Sequence, residues 1–385
     1  MDSILREAAS RTHSEASNEG NAKGPMGPKF QTNIKRNALD EELEQLISRQ
    51  KAKIKVIGAG GGGNNSINRM TEVGITGCET IAVNTDAQDL LYTNADVKIL
   101  IGKELTQGLG AGSIPQVGEE AARETEQELK QKIQGADMIF ITCGMGGGTG
   151  TGSTPVIAEI AKKCGSLTVG IVTMPFSMEG SRRYENAVIG LEKLAAIVDT
   201  LIVIPNDKLM ELAPDLPLHT AFKVADEILT NSVKGIAELV TKAGLVNLDF
   251  ADIRAVMGKG GVAMIGIGES DSDNRATESV EKAINNPLLD VDITGANGAL
   301  INVAGGPDMT LDEARRVVET ISERLDEDAR VIWGAQISAD LTGTIRTLLI
   351  VTGVSSPQIL GPKKKRSSAE VKQEVQNELG IEFVD

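Results

Sequence analysis

The sequence predicts an α/β protein with a Rossmann-like parallel sheet, a central buried helix and a smaller α/β unit on the C-terminal side. Three observations support this fold class. Short apolar runs alternate with segments of helical periodicity, glycine-rich loops follow two of these runs, and one long segment is apolar around the whole helix circumference. At 385 residues the chain is long enough for two domains of ordinary size.

Five apolar runs form the predicted parallel sheet in the first part of the chain. They lie at residues 53–58, 79–84, 137–142, 167–175 and 200–205. Nearly continuous apolar runs that alternate with helical segments are typical of strands covered by helices on both faces. The pattern therefore indicates a parallel sheet between two helical layers.

The segment 220–242 is the predicted central helix, because a helix that is apolar all round is buried, here between two domains. The residues after it predict a second, smaller α/β domain. Its strand candidates lie at 261–268, 299–305, 329–335 and 347–353, and its helical segments at about 275–284 and 311–325.

The same patterns predict how the chain is divided. The polar residues 1–50 are expected to form a mobile leader, and residues 357–385 a linker with a terminal peptide. Between these ends we expect a first domain over 51–218, the central helix over 219–243 and a C-terminal domain over 244–356.

Composition excludes several classes of protein. The formal net charge of -15 disfavours binding to nucleic acid, and no apolar run reaches the length that a membrane-spanning helix needs. Two His and few aromatic residues disfavour histidine-based catalysis, zinc sites and base-stacking platforms. The three Cys show no paired metal spacing and are expected to be reduced thiols in a cytoplasmic protein.

A first glycine-rich loop, residues 58–65, follows the apolar run at 53–57 and leads into a helical segment. Backbone N–H groups in such a loop can face an anion, so the sequence predicts a phosphate site. Gly58, Gly60 and Gly63 also match the dinucleotide pattern G-x-G-x-x-G, for which Asp86 would be the acid after the second strand. A tight strand-to-helix turn without a ligand is the structural alternative.

A second glycine-rich loop, residues 144–152, follows the run at 138–142, and residues 108–113 offer a third. Two such loops at one sheet edge favour a nucleotide triphosphate over a dinucleotide. The chain is not an ordinary P-loop enzyme, because Gly102-Lys103 is followed by Glu104 rather than Ser or Thr.

Four motifs resemble those of the FtsZ family, the tubulin-like division GTPases. They are GGGGNN at 60–65, NTDAQ at 84–88, GGGTGTG at 146–152 and NLDFADIR at 247–254. The resemblance covers about residues 51–354. Within it, the sequences of residues 268–279 and 285–303 are more similar to those of archaeal members. It implies a tubulin/FtsZ-like fold in which 51–218 binds GTP and 244–356 carries an activating loop.

The resemblance also implies the nucleotide contacts. Backbone amides suit this work because they bring partial positive charge to phosphates, and Mg²⁺, held mainly by the nucleotide phosphates, would offset their charge. Ala111 and Gly112 would approach the terminal phosphate. The implied contacts of the first two loops with GTP or GDP are Gly61, Gly62, Gly63, Asn64, Asn65, Gly148, Thr149 and Gly150.

Two pairs of residues four apart have both a structural and a functional interpretation. Glu179 and Arg183 form either a helix-surface ion pair or, as in the family, contacts at the ribose and phosphate side. Phe222 and Asp226 lie on one helix face. They are either a core ring and a solvated acid, or a ring against the purine and a carboxylate that accepts from guanine N1–H and N2–H.

Asn247, Asp249 and Asp252 form the acidic loop that the resemblance makes catalytic. Two Asp three apart at a helix start are also typical of a helix cap. If Asp226 contacts the base, the helix from there to residue 242 places this loop about 24 Å away. These residues would then act on the nucleotide of a neighbouring subunit, so that hydrolysis requires assembly.

A head-to-tail contact of this kind builds a filament, and the family's protofilaments form the division ring at mid-cell. The terminal residues 378–385 would dock division proteins or a membrane tether, without nucleic acid and without direct membrane insertion. Two alternatives remain: a non-catalytic tubulin-like scaffold paralogue and, more remotely, a Rossmann-type NAD oxidoreductase.

Overall fold

The computed structural model describes residues 52–208, 218–241, 249–258, 260–285, 293, 296–326 and 328–354. The predicted leader (1–50) and the predicted linker and terminal peptide (357–385) lie outside these residues. The described residues form a ten-stranded sheet. Its strands are β1 (Ile54–Ala59), β2 (Cys78–Asn84), β3 (Val97–Leu100), β4 (Met138–Gly144), β5 (Leu167–Met174), β6 (Thr200–Pro205), β7 (Gly261–Ser270), β8 (Gly298–Gly305), β9 (Arg330–Ile337) and β10 (Ile345–Thr352).

The strand order is β3-β2-β1-β4-β5-β6-β7-β10-β8-β9. All neighbours pair in parallel except β10, which runs antiparallel to both β7 and β8. Each apolar run named above is a strand, and the predicted fold class is confirmed. The sequence did not indicate β3, because this strand has four residues of which only Ile99 is buried.

Helices cover both faces of the sheet. Side chains of one strand alternate between two core clusters, so that Val56 packs into one and Ile57 into the other. The helices are α1 (Gly60–Val73), α2 (Ala87–Tyr92), α3 (Lys103–Thr106), α4 (Pro115–Glu124), α5 (Glu126–Ile133), α6 (Thr149–Lys163), α7 (Ser181–Ala195), α8 (Leu218–Thr241), α9 (Phe250–Met257), α10 (Arg275–Ile284) and α11 (Leu311–Ser322).

The central helix α8 packs beside α1 and against strand β5. Val233 and Ile236 are fully buried in the core cluster that also contains strands β8 and β10. Gly235 allows the closest approach, because a Cβ there would lie 2.6 Å from a methyl carbon of Leu348 on β10. The helix is buried as predicted, and it joins the two halves of the sheet through one core.

The parallel register sets the position of the loops. Ile57 of β1 pairs with Ile81 of β2 and Ile141 of β4, so these three strands end at one edge of the sheet. The first two glycine-rich loops follow β1 and β4 and therefore meet at that edge. The division into domains at 51–218, 219–243 and 244–356 stays a prediction.

Candidate functional site

The first glycine-rich loop passes from β1 into α1 without a linker. Gly60 has a φ of +69°, and a Cβ there would lie 2.8 Å from the backbone nitrogen of Gly150. A Cβ on Gly62 would lie 3.1 Å from the nitrogen of Gly144. Gly60 requires glycine because of its positive φ and this contact, and Gly62 leaves little room for a side chain because the two loops are in contact. A Cβ on Gly61 would meet no protein atom within 4 Å, so this backbone faces open space.

The second loop, residues 144–152, continues into α6, which begins at Thr149. A Cβ on Gly148 would lie 2.9 Å from the Cβ of Ala111 in the third loop and 2.8 Å from the nitrogen of Ile114, the residue that follows this loop. The Thr149 hydroxyl lies 2.6 Å from the hydroxyl of Thr85. The three loops thus pack against one another, and the N-terminus of α6 faces the space between them.

These loops and α8 enclose a cleft of about 560 Å³. Such a volume suits a nucleotide, since ligand pockets measure roughly 300 to 1,000 Å³. The predicted residues that line the cleft are Gly61, Gly62, Asn65, Gly148, Thr149, Gly150, Glu179, Arg183, Phe222 and Asp226.

Four predicted contacts lie beside or behind the lining. Gly63 is buried against the backbone of Gly58. Asn64 is also buried, and its side chain donates to the Asp89 carboxylate at 2.8 Å. In the third loop Gly110 and Ser113 line the cleft, whereas Ala111 packs against Gly148, and Gly112 lies between Ala111 and Ser113.

Glu179 and Arg183 form an ion pair, as the spacing of four predicted. Both side chains also line the cleft. Oε1 of Glu179 accepts a hydrogen bond from the backbone N–H of Phe176 at 2.9 Å, which fixes the carboxylate at the wall. The two interpretations of this pair are therefore compatible.

Phe222 and Asp226 lie one turn apart on α8 and both line the cleft. The Phe222 ring is 41% exposed and meets the buried ring of Phe176 edge-on, with centroids 5.0 Å apart. Burial raises the pKa of Asp226 to about 6, against the opposing effects of a hydrogen bond from Ser66 and the charge of Arg69. The cleft thus holds an aromatic face beside an acceptor.

Several cleft residues were not among the predicted contacts. Asn84 and Asp89 line the cleft, and the Asn84 side chain donates to the Asp89 carboxylate at 2.6 Å. Asn206 follows β6; its side-chain oxygen is buried and finds no partner among the described residues. Its position after an apolar run at the same sheet edge was the available signal. Asp86, predicted from the sequence only as the acid of a dinucleotide pattern, lines the cleft and also caps α2.

The acidic loop lies elsewhere. Asp249 and Asp252 stand at the start of α9, beyond the far end of α8, and both are exposed. Neither lines the cleft. Asp249 caps α9 by accepting from the backbone N–H of Ala251 at 3.3 Å, so the predicted cap is present. Asn247 lies outside the described residues.

The described residues contain no cluster of three or more His, Cys, Asp or Glu side chains that could hold a metal ion. In the cleft, Asp86 accepts from the backbone N–H groups of Gln88 and Asp89, and Asp89 accepts from two asparagine amides. Within the described part of the chain, no helix is both long and apolar enough to cross a membrane.

Two family models match the chain. One describes the GTPase domain of the Tubulin/FtsZ family and matches residues 53–214; the other describes the C-terminal domain of the FtsZ family and matches residues 261–355. Cell division protein FtsZ 1 of Thermococcus kodakarensis is 61% identical over 329 residues, which cover 86% of this chain and 88% of that protein. The chain belongs to the FtsZ family.

Further relatives agree. Cell division protein FtsZ 1 of Archaeoglobus fulgidus is 56% identical over 363 residues, 94% of this chain and 96% of that protein. The structure of an empty FtsZ dimer from M. jannaschii is 60% identical, with a TM-score of 0.78 over 83% of this chain and 93% of that one. CetZ2 from Haloferax volcanii, solved as a GTPγS-bound protofilament, shares 20% identity and a TM-score of 0.68 over 86% and 100%, which indicates the same fold.

The FtsZ resemblance seen in the motifs is therefore confirmed, including its archaeal character. The chain is a tubulin-like cell-division GTPase with a GTP- and GDP-binding domain. The NAD oxidoreductase alternative is wrong, because the glycine-rich loops belong to the GTPase domain of this family.

Proposed function

We propose that GTP and GDP bind in the cleft between the three loops and α8. The phosphates would lie over the open backbone of Gly61 and before the N-terminus of α6, where unpaired N–H groups and the helix dipole favour negative charge. The hydroxyl of Thr149 adds a side-chain donor at this point. Arg183, paired with Glu179 at the wall, adds positive charge at the ribose and phosphate side.

The other end of the cleft would read the base. Asp226 would accept from guanine N1–H and N2–H, and the orphaned oxygen of Asn206 offers a further acceptor nearby in the same cleft. Phe222 would pack against the purine with its exposed ring face. Adenine presents no donor at N1, so this arrangement supports selection of guanine.

Mg²⁺ would be held mainly by the phosphates. The cleft carboxylates of Asp86 and Asp89 already accept hydrogen bonds from protein groups, which supports this assignment. The ion would offset phosphate charge during hydrolysis.

Hydrolysis would be completed by a neighbouring subunit. The observation that carries this proposal is the exposure of Asp249 and Asp252 at the far end of α8, outside the cleft. The helix from Asp226 to Thr241 alone, a rise of fifteen residue steps, spans about 23 Å. The two carboxylates therefore suit the nucleotide of the next copy, where with Asn247 they would orient the attacking water.

Such a contact joins the cleft face of one copy to the acidic-loop face of the next, and it builds a head-to-tail protofilament. The dimer of M. jannaschii FtsZ, which is 60% identical, supports self-association of this chain. We infer that 51–218 is the GTP-binding domain, 244–356 the activating domain, and 378–385 the docking peptide for division proteins or a membrane tether. The polymer would form the division ring at mid-cell in the cytoplasm.

The test measures GTPase rate per subunit against protein concentration, with Mg²⁺ and with pelleting in parallel. We expect almost no turnover below a critical concentration and a rise as polymer appears. A constant rate per subunit from the lowest concentration would show that each copy is complete by itself. GTP-dependent polymer without turnover would favour the non-catalytic scaffold.

A mixing experiment tests the shared site directly. Gly61→Asp should block the cleft and keep the acids, whereas Asp252→Ala should keep the cleft and remove an acid. Each variant alone should be inactive, and their co-pelleting mixture should regain turnover. Asp273→Asn, an exposed acid after β7, is the matched control. Asp252 is preferred to Asp249, because loss of the Asp249 cap would also cost about 1 kcal/mol of stability. An inactive mixture that co-pellets would contradict the proposal.

A further inference from the structure

Helices α1 and α8 meet at a polar contact below the base end of the cleft. The hydroxyl of Ser66 on α1 lies 3.1 Å from Oδ1 of Asp226 and 3.1 Å from the carbonyl oxygen of Gly62 in the first glycine-rich loop. Ser66 is fully buried. One hydroxyl thus stands between the proposed base acceptor and the backbone of the proposed phosphate loop.

The hydroxyl can serve only one of these acceptors with full strength, because it carries a single proton. An ionised Asp226 attracts that proton more strongly than a carbonyl does, since hydrogen bonds to charged groups are the stronger ones. Among the described residues, Ser66 is the hydrogen-bond donor to this carboxylate. Oδ1 is therefore held from the side of α1, and Oδ2 is left for a ligand in the cleft.

A partly buried ion pair joins the same two helices beside this contact, with Arg69 one turn after Ser66 on α1 and Glu227 next to Asp226 on α8. Arg69 donates from Nε and Nη2 to the Glu227 carboxylate at 3.0 and 2.6 Å, and from Nη1 to Glu72 at 3.0 Å. Glu227 is 6% exposed. Because Arg69 is engaged by these two acids, it sits near Asp226 without bonding to it, and its charge favours the ionised carboxylate.

We propose that Ser66 is a positioning residue for base recognition: its hydroxyl holds Oδ1 of Asp226 so that Oδ2 faces the purine, with the Arg69–Glu227 pair fixing the helix spacing. This inference rests on the proposed reading of guanine by Asp226. Among the described charged groups, Arg69 of α1 acts on this carboxylate, Glu227 is its neighbour on α8, and Asp86, Asp89, Glu179 and Arg183 line the same cleft.

The test is calorimetric binding of GDP and ADP to the full chain, below the concentration at which it assembles. Ser66→Ala should weaken the affinity for GDP about tenfold, which is the loss expected for a hydrogen bond to a charged group. The affinity for ADP should stay within about twofold of its original value. Ser66→Thr keeps the hydroxyl and should restore GDP binding. Ser232→Ala is the matched control, because Ser232 is another buried helix serine whose hydroxyl bonds four residues back, to the Ile228 carbonyl.

A pH series separates positioning from a general packing defect. Ser66 opposes the effect of burial on Asp226, so Ser66→Ala should move the midpoint of GDP binding to higher pH. A packing defect would weaken GDP and ADP equally and leave the midpoint unchanged, and this result would overturn the inference. Should the alanine variant fold poorly, Ser66→Cys provides the same comparison, because it keeps the size of the side chain and replaces the hydroxyl with a weaker donor.

Asp226→Asn distinguishes the two levels of the proposal. If this variant keeps the preference for GDP over ADP, the reading of guanine by Asp226 fails. If it loses the preference while Ser66→Ala keeps it, only the role of Ser66 fails. In the double variant, Ser66→Ala should add no further loss of preference, because its effect passes through the carboxylate.

Discussion

The hydroxyl oxygens of Thr85 and Thr149 lie 2.6 Å apart and join the segment after β2 to the first residue of α6. Thr149 lines the cleft, whereas Thr85 is fully buried and is not part of the cleft lining. Thr149→Val should therefore weaken GTP binding about tenfold, because it removes both this bond and a donor to the phosphates. Thr85→Val removes only the bond and should have a smaller effect. Calorimetric titration with GTP distinguishes the two. Equal losses would restrict Thr149 to a structural role.

Gly61 offers a cleaner separation of folding from binding. An added methyl group there meets no protein atom within 4 Å, and alanine is favoured over glycine in a helix by about 1 kcal/mol. Gly61→Ala should leave the thermal midpoint unchanged or raise it, yet weaken GTP binding more than tenfold by occupying the space of the phosphates. Normal affinity would place the nucleotide away from this backbone. Gly74→Ala, at the end of α1, does not serve as the control because its φ is +73°.

The pKa of Asp226 predicts a pH dependence. Burial raises this pKa to about 6 in the unliganded protein, and only the ionised carboxylate can accept both guanine donors. Affinity for GDP should therefore increase as the pH rises through about 6 and decrease below it. Calorimetry between about pH 5 and pH 8 measures the profile. The Asp226→Asn variant should bind GDP weakly, and its affinity should not change with pH across this range. An unchanged profile in this variant would assign the titration to another group.

Arg275 at the start of α10 should control acid stability in the C-terminal half. It donates to Glu313 at 2.7 Å and pairs with Asp308, and the bond from Arg275 lowers the pKa of Glu313 to about 2. A lowered carboxyl pKa stabilises the fold above the unfolded value and loses that contribution as the pH falls through about 2.

Arg275→Gln should consequently cost about 2 kcal/mol at neutral pH, allowing for solvent screening, and flatten the loss of stability in acid. Urea unfolding at a series of pH values measures both effects. Arg315→Gln is the control, since its pairs with Asp312 and Glu319 are exposed and should matter little. Equal losses in the two variants would contradict the prediction.

The elements that the sequence predicted have one property in common: their signal is local. Apolar runs such as 137–142 and 200–205 become β4 and β6 because a strand buried on both faces needs continuous apolar residues. The helix from Leu218 is recognisable because it is apolar all round. Strand β3 was not predicted, because four residues with one buried side chain show no detectable hydrophobic periodicity.

In the candidate site, too, only the features with a local sequence signal could be predicted. The glycine-rich loops were predictable because a close approach of two backbones excludes side chains, as at Gly60 and Gly62. The roles of Asn84, Asp89 and Asn206 could not be predicted, because an isolated polar residue after a strand has many structural explanations. Only the meeting of five strand ends and α8 shows that these side chains share one cleft.

By itself the sequence determined the alternation of strands and helices, the phosphate-type loops and the family, since these depend on spacing along the chain. The tertiary structure decided which residues distant in the sequence lie close together, because spacing along the chain does not determine such contacts. It placed Ser66 and Asp226, 160 residues apart, within hydrogen-bond distance, and it left Asp249 and Asp252 exposed far from the cleft. Such contacts arise from the packing of α1 against α8 and from the length of a rigid helix, which are properties of the folded chain.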